Sequence, residues 1–334
     1  MAVAAGRVPV SVAPQRRHRA RRVGVRRARA VARWRHRLEY VGVRALFGMF
    51  GLVPLGAALR LGECLAGGLY LVDLPHRRVG MRNLEIAFPE KPLRERRRIL
   101  RQSFLNLGRM AAELAHMPHL TDAQLRQMVQ FEDEAWWREA IGWERDAGVL
   151  VLSGHFGNWE LLVFAHGMRG HPVSMVHRGI ANPFVDRWLN ALRARAGTRL
   201  VRKKHGVAGV LGALRERRLL VLPFDQNSTR GIGVFVDFFG VPASTNSGIA
   251  RLALRTSAHV VPAFIVRQGR RARHVVHVLP FVDMEKTGDL QEDIRRNTAR
   301  MSAIFEEMVR RYPEQWLWVH KRWKTRPPGE SKLY

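Results

Sequence analysis

A chain of 334 residues has room for one large α/β domain or two small ones, so a substantial buried core is within reach. Its formal charge of +29 points to an anionic partner, whether nucleic acid, a phospholipid surface or an acidic protein, and does not choose among them. A single cysteine, Cys64, excludes an internal disulfide and any multi-cysteine metal site, which fits a reducing compartment. Set in the apolar run 61–70, it reads as a small buried thiol and a poor nucleophile.

Residues 1–37 carry twelve arginines and no acid, leaving +17 for the rest of the chain. This stretch reads as a solvated basic tail with at most short helical pieces. It is basic and acid-free like a transit peptide, but it is poor in serine and lacks the apolar core of a secretory signal. Residues 38–75 form the next unit, an apolar membrane-associating segment. Within it, residues 41–59 read VGVRALFGMFGLVPLGAAL, interrupted by Arg44 and Pro54. The length is borderline for a bilayer span, and Arg44 can reach the interface along its aliphatic stem. The preceding arginines suit an anionic cytoplasmic leaflet. Shallow docking keeps the rest of the chain on that same side without a second crossing; the plain alternative is a buried hairpin of the globular domain.

Residues 76–328 form the main domain, followed by a short tail at 329–334. Apolar runs at 148–153, 173–177, 219–223, 259–266 and 274–279 read as strands. Helical patterns lie between and around them at 159–168, 183–194, 207–217, 245–256 and 289–311. Such alternation predicts an α/β fold, a sheet flanked by helices.

Chemistry is expected where a strand ends and a helix begins, and the best such junction is Val151-Leu-Ser-Gly-His155-Phe-Gly-Asn-Trp-Glu160. Gly157 loosens the loop, and Asn158 is placed to cap a helix starting near Trp159. A neutral imidazole at His155 can take a proton from an alcohol, and a carboxylate on its other nitrogen would fix its tautomer; Glu160 is the expected partner. No G-x-S-x-G elbow or H-E-x-x-H helix accompanies the pair, so it suits activation of a substrate hydroxyl better than of an enzyme nucleophile. The bland reading is an ordinary histidine beside an acid that the helix dipole favours.

The residues along the chain resemble the bacterial lipid A biosynthesis acyltransferase family. The resemblance rests on five blocks in order: Arg82-Asn-Leu-Glu-Ile-Ala-Phe-Pro-Glu90, Ser153-Gly-His-Phe-Gly-Asn-Trp-Glu160, Asp225-Gln226, Gly233-Val-Phe-Val-Asp-Phe-Phe-Gly240 and the stretch from Pro313 to Pro327. It covers about residues 40 to 328. It implies a single-domain acyltransferase fold with an N-terminal membrane-associating segment at the cytoplasmic face of the bacterial inner membrane. It also implies an acyl-carrier-protein thioester as donor and a lipid A precursor as acceptor, with no cofactor and no metal. His155 and Glu160 fall on the family's H-x-x-x-x-D/E motif. The departures are the long arginine tail and Asp237, where many relatives have proline, a change that bears on acceptor contacts.

Both substrates of such a reaction are acidic, so a basic body would steer them by long-range attraction. Arg178, just beyond the 173–177 run, is a candidate for stabilising the oxyanion or binding a phosphate. Asp225 and Gln226 are candidates for ordering the site or contacting the acceptor head group, with a locally bonded loop as the alternative. Lys321, Arg322 and Lys324 are candidate phosphate ligands, although basic residues beside Trp316, Trp318 and Trp323 equally suit an interfacial belt. Three other readings compete: transfer to another membrane glycolipid or aminolipid, a hydrolase using the same pair on water, and a nucleic-acid-binding protein, which explains the arginines but not the His155 junction. The expected partners therefore include an anionic membrane surface and no nucleic acid.

Overall fold

The computed structural model describes residues 14–142, 148–202, 206–229, 231–256 and 258–334, with side chains beginning at residue 32. One helix, α1 (Pro14–Gly51), runs through most of the expected tail and into the apolar segment. Arginine and alanine are both good helix formers, so a stretch built largely of them continues as helix where solvation alone suggested coil. Residues 1–13, including Arg7, lie outside the described residues.

Pro54 precedes α2 (Leu55–Val72), so the apolar run 41–59 is divided between two helices. Among the described residues α2 is the helix long and apolar enough to cross a membrane, with 33% of it buried. Its inner stripe of Ala58, Leu59, Gly62, Glu63, Ala66 and Tyr70 faces the body, where α3 (Leu74–Ala87) and α4 (Leu93–His116) follow. Gly62 and Gly108 bring α2 and α4 backbone to backbone, since a Cβ on either would meet the other's carbonyl oxygen. The opposite side of α2 leaves Leu65, Leu69, Leu71 and Val72 exposed. Cys64 shares that side and is exposed, which corrects the reading of a buried thiol: it falls off the inner stripe of the helix.

After α5 (Asp122–Met128), the strands β1 (Val129–Phe131), β2 (Val149–Ser153), β3 (Val173–His177), β4 (Arg199–Arg202), β5 (Leu219–Pro223), β8 (His259–Arg267) and β9 (His274–Val278) form a seven-stranded sheet, in the order β1-β9-β8-β2-β5-β3-β4 among the described residues. Every pairing is parallel except β8 with β9. Helices α6 (Glu134–Gly142), α7 (Trp159–Met168), α8 (Pro183–Ala194), α9 (Gly206–Arg215), α10 (Gly248–Arg255) and α11 (Leu290–Arg311) flank it. Covered faces explain why β2 is apolar at four of its five positions and buried at all five.

A separate antiparallel hairpin, β6 (Gly233–Phe238) with β7 (Val241–Asn246), takes residues 245–246 from the expected helix, which begins instead at Gly248. Trp316, Trp318 and Trp323 are fully buried beneath this hairpin and the end of α11, with Phe238 edge-on to Trp316, so they form core and no interfacial belt. The last residues are tied in as well: the Tyr334 hydroxyl donates to Asn83 Oδ1.

Candidate active site

Strands β2 and β5 are parallel neighbours at the middle of the sheet, and their last residues, Ser153 and Pro223, are register partners. Two residues beyond each lie His155 and Asp225. The sheet register therefore delivers an imidazole and a carboxylate to one point at the carboxyl end of the strands, and His155 Nδ1 lies 3.0 Å from Asp225 Oδ1. Trp316 Nε1 donates to the other carboxylate oxygen at 2.9 Å.

Burial opposes the charge of Asp225, but the facing His155 and the hydrogen bonds from His155 and Trp316 outweigh it and hold its pKa down to about 2. An ionised Asp225 accepts from Nδ1–H, so Nε2 carries the lone pair. The Gln226 amide nitrogen is 3.4 Å from that Nε2, and the Trp159 ring stands edge-on at 5.1 Å. Burial of His155 disfavours its charged form, yet the Asp225 charge and hydrogen bond, helped by the Glu160 charge, raise its pKa above the ordinary value.

The turn carrying His155 is held from several sides. Gly157 has φ +57°, and a Cβ there would strike the Ile265 carbonyl oxygen. Gly157 N donates to Gln315 O at 2.9 Å, and Leu317 N donates to His155 O at 3.1 Å. Asn158 caps α7 as expected, accepting from Leu161 N at 3.0 Å, while its amide donates to buried Glu113 at 2.7 Å. Glu113 also accepts from Arg267 at 2.6 and 2.7 Å and contacts His274 Nε2 at 3.0 Å.

Glu160 is not the group on the imidazole. It sits in the first turn of α7, buried, with both oxygens bound by Arg193 of α8, through Nε at 2.8 Å and through Nη2. A guanidinium fork matches a carboxylate in this bidentate way, and it turns the Glu160 oxygens toward α8. The direct carboxylate partner of His155 is thus Asp225.

The other expected residues are dispersed around this centre. Arg178 is exposed just past the end of β3, and Gln226 is exposed beside His155. Lys321 is exposed, with its ammonium 5.6 Å from the Tyr334 ring centre. Arg322 points inward, donating to Ser244 O at 3.1 Å and Thr245 Oγ1 at 2.6 Å, so its guanidinium braces the β6–β7 hairpin away from solvent. Exposed Asp237 lies on that hairpin. Arg193 and Trp316 were missed as site residues: no local pattern marks the first, and the second stood in a recognised block without a role. Among the described residues no cluster of three or more His, Cys, Asp or Glu is arranged to hold a metal ion.

An imidazole oriented by a buried carboxylate, at the carboxyl end of a parallel strand and bonded to no hydroxyl or thiol among the described residues, has the geometry of a group that can exchange a proton with a bound molecule. Residues 28–325 match the family described as bacterial lipid A biosynthesis acyltransferase, and the chain belongs to that family. It is 28% identical over 309 residues to the lipid A biosynthesis lauroyltransferase of Escherichia coli K12, covering 90% of this chain and 95% of that protein. It is 27% identical over 257 residues to the palmitoleoyltransferase of the same organism, covering 77% and 81%. Identity to the myristoyltransferase is 27% over 259 residues, covering 77% and 78%.

Proposed function

We propose that this protein transfers a fatty acyl group from an acyl-carrier-protein thioester to a hydroxyl of a lipid A precursor, with His155 as general base. The observation that carries this reading is the His155–Asp225 pair at the register-matched ends of β2 and β5. His155 Nε2 takes the proton of the acceptor hydroxyl as its oxygen attacks the thioester carbonyl, and returns a proton to the leaving thiolate. Asp225 orients the ring and stabilises the imidazolium. Glu160 acts at one remove: it holds Arg193 in place and adds negative charge that favours the imidazolium. No cofactor enters such a step.

Arg178 and Lys321 suit the acceptor's phosphates as exposed cations near the carboxyl ends of the strands. A cavity of about 480 Å³ adjoins this side, lined by Gly179, Ile180, Asp186, Arg187, Asn190 and Arg202. Asn190 accepts from Arg193 at 3.3 Å, which connects that cavity to the Glu160 pair and suits it to a polar head group.

Helices α1 and α2 serve as the membrane-associating part and residues 76–328 as the catalytic domain, working at the cytoplasmic face of the bacterial inner membrane. What supports this is the exposed apolar side of α2 next to an arginine-rich α1, a combination that favours anionic lipid. To test the reading, the purified full-length protein is given lauroyl-acyl carrier protein and a lipid A precursor. A gain of one lauroyl mass on the precursor is expected; thioester loss with an unchanged precursor mass would turn the reading to a hydrolase.

A further inference from the structure

His320 lies near His155, close enough for the two rings to influence each other's charge, and each ring contacts one of the adjacent residues Gln226 and Asn227. Its backbone is fixed, because its carbonyl accepts from Asn83 Nδ2 at 2.7 Å and its neighbours Trp318 and Arg322 are buried. Its ring is fixed too: Asn227 N donates to His320 Nε2 at 2.9 Å. A backbone N–H is only ever a donor, so Nε2 is the unprotonated nitrogen, and the neutral ring carries its proton on Nδ1.

That Nδ1–H meets no protein acceptor among the described residues, and His320 as a whole is partly exposed. Asn227 directly follows Gln226, whose amide touches His155 Nε2, so the two imidazoles flank one short segment. Burial keeps His320 neutral by pushing its pKa below the ordinary value, and the charges of Asp225 and His155 both reach it. The result is a donor of fixed tautomer, preorganised and unspent beside the general base.

We propose that His320 is a further catalytic residue, donating its Nδ1–H to the acyl carbonyl oxygen as that oxygen becomes negative. The inference rests on the acyl-transfer reading above. As the acceptor oxygen bonds to the thioester carbon, its proton passes to His155 Nε2 and the carbonyl π pair moves onto oxygen, where His320 meets it. The oxyanion then collapses, the C–S bond breaks, and the thiolate leaves with the proton from His155. A preorganised donor aimed at developing charge commonly contributes about 10² to 10³ in kcat.

Two substitutions separate this role from simple bracing of Asn227. His320→Gln places an amide oxygen where Nε2 accepts from Asn227 N but does not reproduce the Nδ1–H donor; His320→Ala removes both. With lauroyl-acyl carrier protein and a lipid A precursor, both variants are expected to lose about a hundredfold in kcat with KM within about threefold of wild type. Near wild-type kcat in folded His320→Gln would overturn the proposal and leave a structural role only. Thioester cleavage is followed alongside lipid acylation: a wild type that cleaves thioester without acylating lipid refutes the acyl-transfer reading, while the wild-type to His320→Gln ratio still judges His320. Should the variants not fold, nitrogen NMR of the histidine-labelled native protein provides the second measurement. A neutral Nδ1–H ring at His320 is expected near pH 7, and an Nε2–H ring would contradict the proposal.

Discussion

His155 and Asp225 are 70 residues apart in the chain, yet each stands two residues past a register partner on adjacent parallel strands, and their side chains meet at 3.0 Å. The carboxylate's second oxygen is occupied by Trp316, so its orientation is fixed before any substrate arrives. Asp225→Asn should therefore lower turnover at least about a hundredfold, the usual scale for losing positioned acid–base catalysis. The acid limb of the kcat/KM profile gives a second readout. His155 must be neutral to act, and its pKa is raised, so the wild-type limb should lie above pH 6.5 and move downward in Asp225→Asn.

Glu160 and Arg193 form a largely buried, bidentate pair, so Glu160→Gln leaves a guanidinium without its counter-charge. A loss of about 3 kcal/mol in stability is expected from breaking such a pair, together with impaired turnover. Adding Arg193→Met should recover much of the stability and little of the activity. Chemical denaturation and turnover on the single and double variants check this; a fully stable and active Glu160→Gln would remove the pair from the account.

Two glycine contacts make predictions about packing. Gly157→Ala forces both a left-handed backbone and a clash with the Ile265 carbonyl, so the His155 turn should shift and activity disappear. Gly108→Ala acts elsewhere, prising α2 from α4, and should lower the melting temperature by several degrees while the purified, folded fraction keeps its specific activity.

His166 is buried against Trp137, donates Nδ1–H to Leu162 O at 2.6 Å, and has its pKa pushed down to about 4 by burial. The unfolded chain protonates this group near 6.5 and the folded one only near 4, so stability is full above 6.5 and falls as pH drops through that window. His166→Gln should flatten that part of the pH–melting curve. An unchanged slope would show that other groups govern the acid side.

The strand-to-helix junction that carries His155, the cap at Asn158 and the strands at 173–177 and 219–223 were legible because each is a local pattern. The carboxylate assignment was not: Glu160 is five residues from His155 and looks like its natural partner, whereas Asp225 becomes its neighbour only through β2–β5 register. Arg193, which diverts Glu160, is one of many arginines in a basic chain and carries no local mark. The inward turn of Arg322 is likewise set by the β6–β7 hairpin, whose pairing was not read from the residues. Cys64 lay in an apolar run that suggested burial, but α2 turns that side outward.

Membrane docking through α2 is checked with vesicles rich in anionic lipid. Replacing Leu69 and Val72, both exposed, by lysine should weaken binding at high salt, where electrostatic attraction is screened and apolar insertion remains. Deleting residues 1–37 should instead reduce the salt sensitivity of binding. Unchanged partition in both proteins would place the contact elsewhere.

Direct transfer through His155 is tested most directly by His155→Ala, assayed for acyl transfer from lauroyl-acyl carrier protein to the lipid A precursor by product mass, with melting and donor binding measured on the same sample. A loss of at least about a hundredfold in transfer is expected, at preserved folding and donor binding, with no covalent acyl-enzyme on wild type and full activity in Cys64→Ser. Near-normal transfer by folded His155→Ala would contradict direct transfer through His155.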